Sequence, residues 1–309
     1  MKRCVNELKK AMAVILMAAI TAAATGCSLK SNEAGAGAAE TEARGADAAK
    51  DGGEAKGEGA SQEVKTIKIG IGNSFNPMCY VDENGDLQGY DYETLKKIDE
   101  QLPQYEFKYE PTEFKNILVG LDTDNYDIAV HHYGWNEERA KKYLYGDVAN
   151  FFDSGYNFRV AKGSDIVIRN EEDLGGLKIG VQTSSNVAYL LEKFNTEHPD
   201  KQIEIIYDDG TAEQHLAGLN SGIYDGLLSI PFVDALDKAA YGDIFDIAGS
   251  ELFYNDEKQN GCYFIYNYGD ETLKEDIDKV QQELLDSGWQ KELSEKILGA
   301  DYTVDLSNQ

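Results

Sequence analysis

The chain is poor in positive charge. Of its 309 residues 29 are Lys or Arg against 56 Asp or Glu, a formal net charge of −27. A nucleic-acid binder needs a clustered basic excess to neutralise phosphates, and docking on anionic lipid needs the same, so both classes are excluded. Cysteine and histidine are scarce, at four residues each, and no spacing among them matches a zinc site. The uncharged stretch from Ala11 to Ala24 would span about 21 Å as a helix, short of the ~30 Å hydrocarbon core. What is present is 42 % hydrophobic and 10 % aromatic residues, enough for a buried core. At about 150 residues per domain the length suggests two domains.

Lys2, Arg3, Lys9 and Lys10 precede the apolar stretch and small residues close it, the pattern of a secretory signal peptide over residues 1–26. The stretch ends Ala24-Thr25-Gly26-Cys27, which resembles the lipobox of bacterial lipoproteins. That resemblance implies cleavage before Cys27 and a diacylglyceryl group on its sulfur, although Ala24 stands where the motif usually has Leu. The alternative is a plain secreted chain in which Cys27 is incidental. Residues 28–64 hold ten Ala, seven Gly, eight acids and four bases, with Leu29 and Val64 the only larger apolar residues. Such a segment cannot bury enough surface to offset the entropy of ordering it. Residues 27–64 are therefore expected to be a lipidated Cys and an unstructured linker reaching on the order of 30–35 Å, with membrane contact through the lipid alone. Cys79 and Cys262 remain in the body, either as a disulfide or as two buried thiols.

From residue 65 the pattern is α/β. Lys65 to Ile71 alternates as a strand and breaks at Gly72-Asn73-Ser74. Asp91 to Gln101 has helical spacing at Leu95 and Ile98, stopped by Pro103. Tyr105 to Glu110 reads as a strand, Asn116 to Leu121 as a short helix and Tyr126 to His131 as the next strand. The pattern then restarts: strand Leu177–Val181, helix Asn186–Phe194, strand Ile203–Tyr207, helix Glu213–Asn220, strand Tyr224–Leu228. Asn125-Tyr-Asp-Ile-Ala and Ile223-Tyr-Asp-Gly-Leu look like equivalent positions of two similar lobes. Alternating strands and helices predict mostly parallel sheets, with a ligand cleft at the C-terminal ends of the strands. Thr272 to Leu298 is helical, with Leu273, Ile277, Val280, Leu284 and Leu285 on one face, and is expected against the first lobe.

Over residues 66–305 these segments resemble the bacterial solute-binding proteins of ABC importers for polar amino acids. The resemblance rests on Ile69-Gly-Ile-Gly-Asn-Ser-Phe-Asn-Pro, the segment Tyr80 to Glu93, Glu113-Phe114, Tyr126-Asp127, Asn136-Glu-Glu-Arg139, Leu174 to Asn186, and Ser287-Gly-Trp-Gln-Lys-Glu-Leu. His132-Tyr-Gly-Trp-Asn-Glu-Glu-Arg139 and the Thr-Ser-Ser-Asn turn look most like the cystine-binding branch. The family fold implies two α/β lobes, one from 65–156 with 262–309 and the other from 157–261. The chain crossings near Tyr156-Asn157 and near Gly261 would form the hinge.

The resemblance also implies a site. Arg139 falls where the family pairs an Arg with the ligand α-carboxylate, a geometry that suits a planar guanidinium; otherwise it is a solvated helix charge. Ser184, Ser185 and Asn186, between a strand and a helix, would offer hydroxyl and backbone donors to the same carboxylate, a role compatible with simple helix capping. Phe75 and Phe114 match aromatic walls beside the ligand side chain, or else ordinary core. Gly134 matches a small-residue contact beside the carboxylate, with Tyr133 and Trp135 expected to point together away from it. His132 is a candidate cleft contact. A metal held by His131 and His132 is not expected, because adjacent strand residues face opposite sides. One departure stands out: the family usually has an Asp for the ligand α-ammonium where this chain has Ile230. Asp209 and Glu213 are the weak substitutes, or the ligand lacks an α-ammonium.

The expected function is therefore capture of a polar amino acid or related carboxylate-bearing molecule for an ABC permease, by hinge closure and with no cofactor. The rivals are an exported enzyme on the same scaffold, similar to cyclohexadienyl dehydratases, and a ligand-sensing receptor subunit that would need a partner for output. An enzyme needs a placed acid or base, and no catalytic residue is singled out by the pattern. Without residues 1–26 the chain has 25 bases and 55 acids, and residues 65–309 carry about −26 of that charge. A body so negative needs local positive charge to hold a carboxylate, which puts the weight on Arg139.

Overall fold

The structure is a computed structural model, and residues 64–254 and 257–304 are described. Strand β1 (Lys65–Gly72) buries Ile67, Ile69 and Ile71 completely. A small antiparallel sheet follows, from β2 (Ser74–Phe75), β3 (Cys79–Val81) and β4 (Leu87–Gln88). Helix α1 (Tyr90–Asp99) lays Leu95 and Ile98 on the core, β5 (Tyr105–Thr112) runs parallel to β1, and α2 (Phe114–Asp122) leads into β6 (Ile128–Gly134). The short helix α3 (Glu137–Ala140), β7 (Tyr143–Tyr145) and β8 (Phe151–Phe152) complete this part of the chain.

The chain then enters a second sheet through β9 (Tyr156–Ala161), β10 (Lys178–Val181), helix α4 (Asn186–Glu197), β11 (Glu204–Tyr207), helix α5 (Ala212–Asn220), β12 (Gly226–Ser229), helix α6 (Pro231–Tyr241) and β13 (Phe245–Leu252). The short helix α7 (Glu257–Asn260) precedes β14 (Gly261–Asn267), which returns to the first sheet. Helices α8 (Glu271–Asp286) and α9 (Trp289–Leu298) finish the fold. The expected single helical stretch is thus two helices. They part at Gly288, whose φ of 79° is readily adopted only by glycine. Leu273, Ile277, Val280 and Leu284 pack with Ile67, Ile69 and Leu95, against the first sheet as the sequence suggested.

The strand orders are β5-β1-β6-β14-β7, with β8 also on β14, and β11-β10-β12-β9-β13. In each sheet three strands are parallel and the strand beyond them antiparallel. The sheets are therefore more mixed than the expected mostly parallel ones. The reason is topological: β14 and β9 arrive from the other sheet instead of through a helical crossover, so nothing imposes parallel pairing on them.

The two repeated segments do occupy equivalent places. Asp127 accepts from the Lys68 amide at 2.7 Å and returns its own amide to the Lys68 carbonyl; Asp225 and Lys178 repeat both bonds at 2.8 Å. Tyr126 lies over Gly70 and Gly120, and Tyr224 over Gly180 and Gly218, so closely that a Cβ at any of the four glycines would collide with the ring. In an ordinary helix Gly→Ala adds about 0.5–1 kcal/mol of stability. At Gly120 the new Cβ would lie 2.2 Å from the Tyr126 ring. Gly120→Ala is thus expected to lose about 1–3 kcal/mol by overpacking, read as a lower urea midpoint. A stabilised Gly120→Ala would refute this packing.

Candidate functional site

The end of β6 carries the site. His132 has a φ of +50°, and the pairing of β6 with β14 shifts register beside it, between Tyr263 and Ile265. Side-chain alternation presumes an extended backbone, and this left-handed residue breaks it. His131, His132, Tyr133 and Gly134 consequently all line one cavity of about 210 Å³. The two imidazoles still keep largely different neighbours, His131 against Phe114 and Tyr133 and His132 against Phe151 and Asp153. Tyr133 and Trp135 pack on one cluster with Tyr143, Tyr145 and Tyr263, the shared side that alternation suggested, and Trp135 also lines an adjoining cavity of about 540 Å³. A β-region residue driven to positive φ costs free energy, and such positions cluster where function over-determines the backbone.

Arg139 follows at once, on α3. The Asn136 side chain caps that helix by accepting from the Arg139 amide at 2.7 Å. The residue is 7 % exposed and lines the cavity, which rules out the solvated-charge reading. Its Nη1 donates to the Gly134 carbonyl at 2.8 Å and to the Tyr145 hydroxyl at 3.3 Å, and it lies 5.0 Å from the Tyr133 ring centroid. Its Nη2 donates at 3.0 Å to the carbonyl of Ser184, which belongs to the loop after β10 of the second sheet. The Arg therefore ties the two halves of the fold together across the cavity.

That loop is built to meet it. Asp209 accepts from the Thr183 amide at 2.8 Å, and Ser184 takes a φ of +61°. Ser185 caps α4 by accepting from the Ala188 amide at 3.1 Å, and Asn186 opens the helix. Ser185 and Asn186 line the cavity; Ser184 is not among the lining residues and contributes its carbonyl to Arg139. A second tie crosses here, from the Asn136 amide to the Asn186 side-chain oxygen at 3.1 Å, while Asn186 donates to the Tyr156 hydroxyl at 3.2 Å. A Cβ on Gly134 would sit 3.2 Å from the Asn186 amide nitrogen, so the small residue is what lets the two sides approach. A third tie is apolar: Phe232 at the start of α6 packs against Phe151 and Tyr302, with centroids 5.7 and 5.3 Å away.

Phe75 and Phe114 line the cavity and sandwich His131, at 5.5 and 4.7 Å between centroids. Burial drives the His131 pKa down to about 4, so near neutral pH this is a wall of three uncharged rings. His132 is opposite in character. Burial alone would lower its pKa, but the Asp153 carboxylate, 3.3 Å from Nε2 through each oxygen, and the charge of Asp91 together raise it. Asp91 is itself pushed up to about 6 by burial, against the pull of His132 and the Asn150 amide.

Cys79 and Cys262 are free and buried, which resolves the two alternatives in favour of thiols. Burial raises both above the ordinary thiol range, with the charge of Asp91 adding at Cys79 and those of Asp153 and Asp91 at Cys262. Thiols held in the protonated form are poor nucleophiles toward a disulfide. His132, Asp153 and Cys262 bring their donor atoms within 4.8 Å, the one such metal-capable group among the described residues. A metal there would need a thiolate and a neutral imidazole, whereas both pKa shifts oppose loss of those protons.

Asp153, Tyr156 and Gln182 also line the cavity and were missed by sequence reasoning. The signal available for Asp153 was an isolated acid in Phe151-Phe-Asp-Ser-Gly155, next to the first chain crossing. Ile230 is in the wall, as expected of its position, and supplies only an apolar side chain. Asp209 and Glu213 are both exposed and outside the cavity lining, so neither replaces the missing acid.

Two similar α/β lobes crossed twice by the chain, with a guanidinium and helix-end donors facing each other over a cavity, define a two-lobe solute-binding protein. The sequence agrees: residues 67–300 match the model of the bacterial extracellular solute-binding proteins, family 3, and the chain belongs to that family. The L-cystine-binding protein TcyK of Bacillus subtilis is 38 % identical over 250 residues, 80 % of this chain and 89 % of that one. TcyJ of the same organism, also an L-cystine-binding protein, is 30 % identical over 78 % of this chain and 87 % of its own. A solved Streptococcus mutans protein, from work on glutathione import via GshT and the cystine ABC importer TcyBC, superposes with a TM-score of 0.68. It is 26 % identical and matches 80 % of this chain and all of its own. The chain thus has the substrate-binding role of an importer, and among the described residues no helix is long and apolar enough to cross a membrane.

Proposed function

We propose that this chain binds L-cystine, or a closely related amino-acid derivative, and delivers it to the permease subunits of an ABC importer. The observation that carries the reading is Arg139, a buried guanidinium on the cavity wall facing the Ser185–Asn186 helix start. A carboxylate entering there would meet fixed donors in a water-poor space. The aromatic wall of Phe75, His131 and Phe114 suits a sulfur-bearing side chain, since sulfur packs favourably on rings. Buried, protonated thiols would leave a disulfide ligand intact. The TcyK and TcyJ relatives support the same ligand.

In this reading residues 65–156 with 262–309 form one lobe and 157–261 the other. The passages at Tyr156-Asn157 and near Gly261 are the hinge, and Phe75, Phe114, His132, Gly134, Arg139, Ser184, Ser185 and Asn186 are the ligand contacts. Closure is a rigid-body motion about two strand passages. The cavity is read as serving binding, because the TcyK and TcyJ relatives are binding proteins. Residues 1–26 act as the signal peptide and Cys27 carries the lipid, restricting the body to a layer beside the cell membrane; both lie outside the described residues.

Titration calorimetry with L-cystine, glutathione, the common L-amino acids, prephenate and arogenate tests the ligand. L-cystine is expected to bind with a Kd of about 1 µM or below, roughly −8 kcal/mol, and to be recovered unchanged. Absence of binding by L-cystine would overturn its assignment, and conversion of prephenate or arogenate would favour the enzyme. For the anchor, Cys27→Ser is expected to move the protein from the membrane fraction to the medium; retention in the membrane fraction would contradict lipidation at Cys27.

A further inference from the structure

A zwitterion closed into a cavity loses water from both of its charges, and each needs a compensating group. Arg139 answers the carboxylate. At the expected acceptor position the wall offers Ile230, which has no polar side chain. Gln182, Ser185, Ser229 and Tyr156 present neutral dipoles, and Asp153 is the one carboxylate among the lining residues. We propose that Asp153 accepts the α-ammonium of the bound amino acid and so sets the preference for zwitterions over plain carboxylates. This rests on the reading of the cavity as an amino-acid site.

The geometry of Asp153 fits that role. Its backbone amide donates to the Asn260 carbonyl at 2.8 Å, which fixes the residue beside the first chain crossing. Its side chain is 14 % exposed, so it is neither sealed nor free in solvent. The present partners hold it loosely: His132 Nε2 is a long 3.3 Å from each oxygen, and the Cys262 thiol, at 3.4 Å, is a weak donor. A carboxylate has about four lone-pair directions, so these partners leave room for an ammonium hydrogen bond of ordinary length. Asp153 and Arg139 line the same cavity of about 210 Å³, with Tyr156 also in its wall, which places the opposite charges around one small space. The arrangement also works in reverse: a ligand with a carboxylate and no ammonium would bring its negative charge toward Asp153 uncompensated.

The test compares L-cystine with 3,3′-dithiodipropionic acid, the same disulfide dicarboxylate without its amino groups, on the wild type and Asp153→Asn. The wild type is expected to prefer L-cystine by at least about 100-fold. Asp153→Asn is expected to weaken L-cystine about 30-fold or more while binding dithiodipropionate as well as the wild type or better, so the preference collapses. Retained dithiodipropionate binding also reports that the variant is folded. Equal loss of both ligands would show a merely structural role and overturn the proposal, as would L-cystine affinity kept within threefold. If the wild type ignores L-cystine but binds another L-amino acid, the ligand identity fails. The same comparison on that amino acid and its deamino analogue then decides Asp153 separately. A wild type that binds no α-amino acid overturns both.

Discussion

The contact on which the arrangement depends is the Arg139 guanidinium, shared between the Gly134 carbonyl of its own side and the Ser184 carbonyl of the other. Both acceptors are presented by unusual backbone: Gly134 ends a strand disrupted at His132, and Ser184 is left-handed. A guanidinium serves because it can donate to several acceptors in one plane, holding two carbonyls while keeping an edge on the cavity. Lysine would concentrate its charge in one direction and could not bridge and bind at once. The strain at His132 and Ser184 is thereby explained as the cost of aiming backbone and side chains at one point.

Around that contact the protein solves an electrostatic problem. A body near −26 repels carboxylates at long range, so recognition must come from short-range, desolvated donors. The site concentrates them: one buried Arg, the Ser185–Asn186 helix start, and a protonation-prone His132 beside Asp153 and Asp91. The same burial that strengthens those interactions keeps His131 neutral and the two thiols protonated. A cavity wall can thus be apolar and aromatic on one side and strongly charged on the other within a few residues of β6.

How much of this was legible in the sequence depends on whether the information was local. The Tyr-Asp repeat at Tyr126 and Tyr224 was readable because each Tyr fills space over its own pair of glycines and each Asp closes a bond to a neighbouring strand start. Arg139 and Ser185 came from the family resemblance, and the structure puts both on the cavity wall, one on a short helix and the other capping a long one. The left-handed backbone at His132 was not legible, because alternation assumes extended backbone and nothing in His-His-Tyr-Gly announces such a residue. Asp153 was missed because its meaning comes from partners at Asn260 and Cys262, more than a hundred residues away. The mixed sheets escaped for a related reason: the antiparallel strands β9 and β14 are set by the two crossings, not by local pattern.

In the proposed complex the ligand's α-carboxylate sits on Arg139 between the two lobes. A crystal structure with L-cystine bound is expected to show carboxylate oxygens about 2.7–2.9 Å from the guanidinium nitrogens, with the Ser185–Asn186 helix start facing the same group. A ligand carboxylate bound elsewhere, with Arg139 still engaged only by Gly134, Tyr145 and Ser184, would contradict this placement.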